Sequence, residues 1–228
     1  MLSSLIFDMD GVLVDSMTYH AQAWIQVSRE VGVNVTPADI YEVEGANHRV
    51  GLQWLFEKAG RELDPDMYDS ILERKIEIFT SIADVKPFEG MVACLSVLKK
   101  DFRLAVVTGS ERVTVESFMD QFFPGIFDVI VSGEDVHYGK PYPEPYLRAV
   151  EMLDIGKENC IVVENAPMGV ESAKRAGLYC VGVPTYVSPD KLSEADIILE
   201  DHASLQEYLY NILDKGHLCD NSGSSEIL

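Results

Sequence analysis

The 228-residue sequence is short of cations. It carries 18 lysines and arginines against 38 aspartates and glutamates, a formal net charge of −20. A surface this acidic repels phosphate backbones and argues against a general nucleic-acid binder. No apolar run approaches the ~18 residues of a membrane span, so no membrane partner is expected. The four cysteines, Cys94, Cys160, Cys180 and Cys219, form no CxxC pair and no other zinc spacing. They are expected to be buried or incidental thiols in a reducing cytosol. The N-terminal stretch MLSSLIFDMD has neither the basic region nor the cleavage site of a signal peptide, and the expected compartment is the cytoplasm. No internal repeat is present. What remains is ordinary globular composition, 47% hydrophobic and 25% charged. The length suits one core domain with an insertion, or two small domains.

The hydrophobic pattern alternates between two types of element. Leu2 to Phe7 reads as a buried strand that stops at Asp8. Similar short runs are Leu104 to Val107, Val129 to Val131, Ile161 to Val163 and Cys180 to Val183. Helical periodicity fills 91–100, 113–122, 144–153 and 169–176. Strands alternating with helices imply βαβ units and a parallel sheet, whose ligands bind outside the carboxyl ends of the strands. The alternation fails between residues 16 and 84. Only helical periodicity occurs there, at 17–31, 48–59 and 65–82, punctuated by Pro37, Gly45, Gly60 and Pro65. The expected division is a core of residues 1–15 and 85–213, a helical insert of 16–84, and a disordered polar tail of 214–228.

Chemistry is suggested at four strand ends. Asp8 and Asp10 flank Met9, and in an extended backbone their carboxylates face the same way. Such a pair attracts a hard cation such as Mg²⁺. One of them can attack phosphorus and the other can shuttle a proton. Thr108-Gly109-Ser110 offers a hydroxyl and backbone N–H groups suited to a phosphate, or simply a helix cap. Lys140 lies in a proline-rich loop and can offset the charge of an arriving anion, although a lysine in such a loop is more often a solvated surface charge. Glu164 and Asn165 can complete a metal shell, and Asn165 can equally cap a helix.

These four signals in this order resemble the haloacid dehalogenase superfamily, in its β-phosphoglucomutase-like branch. The matching segments are Asp8-Met9-Asp10-Gly11-Val12, Val107-Thr108-Gly109-Ser110, Gly139-Lys140-Pro141-Tyr142-Pro143-Glu144-Pro145-Tyr146 and Val163-Glu164-Asn165-Ala166-Pro167-Met168-Gly169-Val170. The resemblance implies an α/β fold, with a Rossmann-like doubly wound parallel sheet as core and a small all-helical cap inserted after the first strand. It implies Asp8 as nucleophile forming an aspartyl-phosphate, Asp10 as general acid and base, and Thr108 and Lys140 as phosphoryl-binding groups. It implies Mg²⁺ held by Asp8, the Asp10 carbonyl, Glu164 and Asn165. Many relatives carry an aspartate where this sequence has Asn165, so the shell is one negative charge short. Glu44, at a glycine-containing turn of the cap, is the candidate to replace it. Gly109 and Ser110 with His20, Arg49 and Lys75 are the candidate substrate contacts. The expected activity is hydrolysis of a small phosphorylated compound, a sugar phosphate or pyrophosphate, by a monomer. A β-phosphoglucomutase, and a binding module that has lost catalysis, are the alternatives.

Overall fold

The computed structural model describes residues 2–46 and 48–222. Six strands form one parallel sheet: β1 (Ser4–Phe7), β2 (Arg103–Val107), β3 (Val129–Val131), β4 (Cys160–Glu164), β5 (Tyr179–Gly182) and β6 (Ile197–Ile198). Their spatial order is β3-β2-β1-β4-β5-β6. The chain winds outward from β1 in both directions, so the order reverses between β1 and β4 and leaves a crevice at their carboxyl ends. The register is continuous there, with Phe7 opposite both Val106 and Val163.

Each strand divides its side chains between two hydrophobic layers. On one face lie Leu5, Phe7, Leu104, Val106, Ile161 and Val163. On the other lie Ile6, Ala105, Val107, Val162 and Cys180. This is why the strands read as unbroken apolar runs. Helices α5 (Met91–Leu98), α6 (Arg112–Phe122) and α9 (His202–Ser222) contribute to the first layer, and α7 (Glu144–Leu153) and α8 (Pro167–Arg175) to the second. The result is a three-layer α/β/α arrangement.

Between β1 and α5 the described chain is helical: α1 (Met17–Glu30), α2 (Pro37–Glu42), α3 (His48–Lys58) and α4 (Tyr68–Ile82). Helices α1 and α4 bury Trp24, Val27, Ile71, Ile78 and Phe79. The segments that leave and re-enter the core run side by side. Asp15 N–H donates to Lys86 O at 2.9 Å, and Phe88 N–H donates to Leu13 O at 3.1 Å. The His202 ring stacks on Phe88 at 3.6 Å between centroids, bracing the return.

Three elements differ from the sequence-based expectation. Pro37 does not interrupt a helix but opens α2, where Thr36 and Asp39 form a capping box and proline suits the first turn. Strand β6 has only two residues, too few for a periodicity. Helix α9 runs to Ser222, through part of the tail expected to be disordered from Asp214, while residues 223–228 lie outside those described. Cys94, Cys160 and Cys180 are buried free thiols, as expected.

Ile6 tests the layered core. It is fully buried on the α7/α8 face of the central strand. Ile6→Ala should lower the unfolding free energy by about 2–5 kcal/mol, because the flanking strands hold the cavity open. Urea denaturation measures it.

Candidate active site

The chemistry-bearing side chains meet at the crevice between β1 and β4. Asp8 follows β1 directly, and its backbone N–H donates to Val163 O at 3.0 Å. Its carboxylate is 4% exposed and lies 2.5 Å from Lys140 Nζ. The same ammonium donates to Glu164 Oε1 at 2.6 Å and to Val107 O at 3.2 Å, so its three protons are all engaged. Glu164 is equally committed. Its Oε1 also accepts from Tyr146 OH at 2.6 Å, and its Oε2 accepts from the backbone N–H groups of Asn165 and Ala166 at 2.9 and 3.2 Å. Four donors fill the lone-pair positions of one carboxylate. In this arrangement Glu164 is turned to Lys140, Tyr146 and the backbone N–H groups that follow it. It is the fixed counter-charge that aims Lys140 at Asp8.

Asp10 sits in the turn beyond β1 and is held from three sides. Ser16 Oγ donates to Oδ1 at 2.5 Å, and Thr108 Oγ1 and Ser110 Oγ donate to Oδ2 at 3.2 and 3.0 Å. His20 Nε2 lies 3.3 Å from Oδ1, with its ring stacked on Phe79 at 4.1 Å. Burial alone would raise Asp10. His20, Ser16 and Ser110 outweigh it and hold the carboxyl well below the usual carboxylate range. Asp8 goes the other way. Burial raises it, Lys140 draws it back, and the Glu164 and Asp10 charges push it up again, leaving it well above the ordinary value. Lys140 stays cationic, because Asp8 and Glu164 outweigh the effect of burial.

The turn of the helical insert that carries Glu44 lies against this cluster. Glu44 is 6% exposed, and its Oε1 accepts from Asn165 Nδ2 at 2.7 Å. Burial and the neighbouring Asp8, Glu164 and Asp10 raise Glu44 well above the usual range, although the Asn165 hydrogen bond opposes them. Two buried oxygens nearby, Glu44 Oε2 and Asn165 Oδ1, have no hydrogen-bond partner. Orphaned buried oxygens beside carboxylates that resist ionisation fit a hard divalent cation, which both satisfies the lone pairs and reverses the pKa shifts. Among the described residues no group of three or more His, Cys, Asp or Glu side chains is arranged to hold a metal. The donors available here are instead mixed: Asp8, Glu44 and the amide oxygen of Asn165.

Glycine permits these close approaches. Gly11 has φ +91°, and a Cβ there would lie 2.2 Å from Asn165 Nδ2. A Cβ on Gly109 would lie 2.7 Å from Ala46 O. The insert thus rests backbone against backbone on the Thr108–Ser110 loop, over a cavity of about 60 Å³ lined by Asp8, Asp10, His20, Glu44, His48 and Thr108 among others.

Residues 5–183 match the family model of haloacid dehalogenase-like hydrolases. The chain belongs to that family. It is 30% identical over 202 residues to the validoxylamine A 7'-phosphate phosphatase of Streptomyces hygroscopicus subsp. limoneus, covering 86% of this chain and 92% of that one. It is 32% identical over 180 residues to the phosphorylated carbohydrates phosphatase of Thermotoga maritima, covering 78% and 82%. A solved Bacteroides vulgatus protein, provisionally assigned as a β-phosphoglucomutase, superposes with a TM-score of 0.87 at 29% identity, covering 93% of this chain and 89% of the other. The sheet order and helical insert of this haloacid dehalogenase-like chain accord with that likeness.

Two expected substrate contacts lie elsewhere. Arg49 turns outward, with its guanidinium 4.0 Å from the centre of the Tyr68 ring and 4.0 Å from Asp69, because α3 presents its cavity-facing side through His48 instead. Lys75 is buried but does not line the cavity. Its ammonium lies over the Trp24 and Phe79 rings at 5.3 and 5.4 Å, and burial lowers it to about 8. Gly109 and Ser110 are at the site, Ser110 engaged with Asp10. Ser16, Tyr146, His48 and Glu111 are the polar residues that sequence reasoning passes over. Tyr146 closes the lysine motif and carries the only local signal.

Glu44 generates a pH prediction. A carboxyl raised by folding binds its proton more tightly in the folded state. Its contribution is thus fully present below the unfolded value and is lost as pH rises through the folded one. Glu44→Gln removes that loss. In metal-free protein the melting temperature of Glu44→Gln should exceed that of the parent by a margin that grows as pH rises above the ordinary glutamate value of 4.5. Thermal scans from pH 5 to 8 measure the difference, and saturating Mg²⁺ should shrink or reverse it.

Proposed function

We propose that this haloacid dehalogenase-like protein is a Mg²⁺-dependent phosphohydrolase of small phosphorylated compounds, working through an aspartyl-phosphate on Asp8. The observation that carries the reading is the Lys140 ammonium, held by Glu164 and aimed at a buried Asp8 beside a second, separately held carboxylate, Asp10. When bound, the cation neutralises the carboxylate cluster and polarises the phosphoryl oxygens. Asp8, Glu44, Asn165 and the Asp10 carbonyl are the residues that would hold it.

The steps follow from the positions. An Asp8 oxygen attacks phosphorus, and the bond from phosphorus to the leaving oxygen breaks. Lys140 offsets the charge of the incoming phosphoryl group. Thr108 and Ser110 turn their hydroxyls from Asp10 to that group. Asp10 then loses two stabilising donors, so its pKa rises and it can carry a proton to the leaving oxygen. Water next attacks the phosphorus of the aspartyl-phosphate, Asp10 takes its proton, and phosphate departs with Asp8 restored.

Relatives named as phosphatases of phosphorylated carbohydrates and of validoxylamine A 7'-phosphate support a small phosphorylated substrate. A cavity of about 60 Å³ favours a compact one, since pockets for drug-sized ligands are about 300–1,000 Å³. The mutase reading needs a clamp for a second phosphate, and Arg49 is not placed to supply it. A binding module without catalysis has no use for a lysine whose three protons fix a buried nucleophile.

Asp8→Asn should fold with a melting temperature close to the parent's and release no phosphate above background from sugar phosphates, pyrophosphate or an aryl phosphate, with or without Mg²⁺. Steady turnover by the purified variant would overturn the aspartyl-phosphate reading. The cation shell is tested separately. Glu44→Gln should weaken apparent Mg²⁺ affinity by about tenfold, and Asn165→Asp should restore part of it in the double variant, a coupling that independent sites would lack. Metal titrations of the two singles and the double, read by activity and by thermal shift, give the cycle.

A further inference from the structure

One buried polar pair has no part in the chemistry proposed for Asp8 and Asp10. His48 opens α3 in the helical insert, and Glu111 is the core residue immediately before α6. His48 Nδ1 lies 2.7 Å from Glu111 Oε1, with the side chains only 13% and 18% exposed. Glu111 directly follows the Thr108–Ser110 loop that holds Asp10, so the pair joins the insert to that loop. Trp24 sits edge-on to the His48 ring at 5.6 Å.

The surroundings fix the state of the pair. Lys75 from α4, His20 from α1, Asp10 from the turn after β1 and Tyr68 at the start of α4 are the charged and titratable groups that act on it. Burial and Lys75 lower His48, against the pull of Glu111 and Asp10. Burial raises Glu111, but His48 and Lys75 outweigh it and hold it at about 2. The imidazole and an ionised carboxylate thus meet in close polar contact across the boundary between insert and core.

This pair is made only when the insert is seated. With the insert lifted, Glu111 returns to water and its contact with His48 is lost. A substrate larger than the cavity of about 60 Å³ beside Asp8, which is 4% exposed, reaches that carboxylate only if the insert lifts. We infer that His48 and Glu111 form a latch between insert and core that sets the closed fraction of the enzyme and, through the Thr108–Ser110 loop, positions Asp10. Both are positioning residues. The activity readout below rests on the phosphohydrolase reading, while the fluorescence readout does not.

Trp24 reports on the latch. The chain has two tryptophans, so a Trp54→Phe background leaves Trp24 as the single fluorophore. Acrylamide quenching of Trp24 is measured with and without Mg²⁺ and inorganic phosphate, for Glu111→Gln, His48→Phe and the double variant. Each single should raise the quenching constant about threefold or more, and the double should go no further than the larger single. His48→Asn keeps an N–H donor at a similar reach and should stay within about twofold of the parent. With a phosphate ester, the singles should raise KM about five- to thirtyfold and lower kcat less, the pattern of a closure equilibrium.

Asp8→Asn in the same background should still show phosphate-dependent protection of Trp24. Quenching unchanged in the singles, additive in the double, or equally raised in His48→Asn and His48→Phe overturns the latch. A variant that fails to fold is replaced by the conservative Glu111→Asp, for which quenching equal to the parent's at a measurably weakened His48 interaction also overturns it. Latch behaviour in a protein that hydrolyses no phosphate ester would overturn the phosphohydrolase reading and leave the latch standing.

Discussion

The site depends on one buried ammonium. Asp8, Asp10, Glu44 and Glu164 are all under 10% exposed, and Lys140 is the buried cation placed directly among them. Removing one partner of a buried ion pair typically costs about 3–5 kcal/mol, because the charge left behind is uncompensated. The other contacts serve this pairing. Tyr146 and two backbone N–H groups saturate Glu164, so that it cannot turn away from the lysine. The Val107 carbonyl takes the third proton and fixes the direction of the ammonium. What remains for Asp8 is one strong contact on one oxygen, which leaves the other oxygen for chemistry.

The sheet makes that pairing reachable. Asp8, Thr108 and Glu164 follow or end β1, β2 and β4, which are adjacent and in register, so their side chains meet with no long connection to order. Lys140 comes from the loop beyond β3 and must cross β2 to arrive. It can do so because Val107 offers its carbonyl on the way, and because Gly45 and Ala46 of the insert close over the path, with Ala46 bridged to Lys140. The acidic surface of the whole chain sharpens the demand for this single cation. With −20 overall, an anion approaching the site would find attraction only where Lys140, and a cation bound as proposed, are concentrated.

Much of this is legible in the amino-acid sequence. Short apolar runs ending in polar residues are the direct imprint of strands buried on both faces, and they place five of the six strands. Asp8, Asp10, Thr108 and Lys140 stand at strand ends or in a rigid loop, where local sequence and position coincide. Glu44 follows from a charge argument that starts at Asn165, and the fold does bring those two side chains together. Which side chains face the cavity depends on packing that the sequence does not display. Arg49 and His48 are neighbours on one helix, and only the rotation of α3 decides which faces the cavity. Lys75 reads as a possible phosphate contact, yet its burial among aromatic rings depends on the packing of α1 against α4. The saturation of Glu164 arises from a tyrosine 18 residues away, whose motif does not reveal its partner, and from backbone N–H groups, which have no pattern in the sequence.

If Glu44 joins the cation shell as proposed, seating the insert and binding a cation are one equilibrium. Closing the insert brings Glu44 into a cluster that already holds three carboxylates against one lysine. Without a cation this is costly, and the raised Glu44 is the expression of that cost. A divalent cation held as proposed would reverse the sign, since the same carboxylate would then complete its shell. By reciprocity, whatever factor the cation gains from closure, closure gains from the cation. The His48–Glu111 pair differs in kind. It lies outside the Asp8 cluster and adds no carboxylate to it. On the proposed reading, one contact makes closure conditional on the metal, and the other sets how firmly the closed state is held once that condition is met. A site built this way excludes water when it is charged for phosphoryl transfer and opens when it is not.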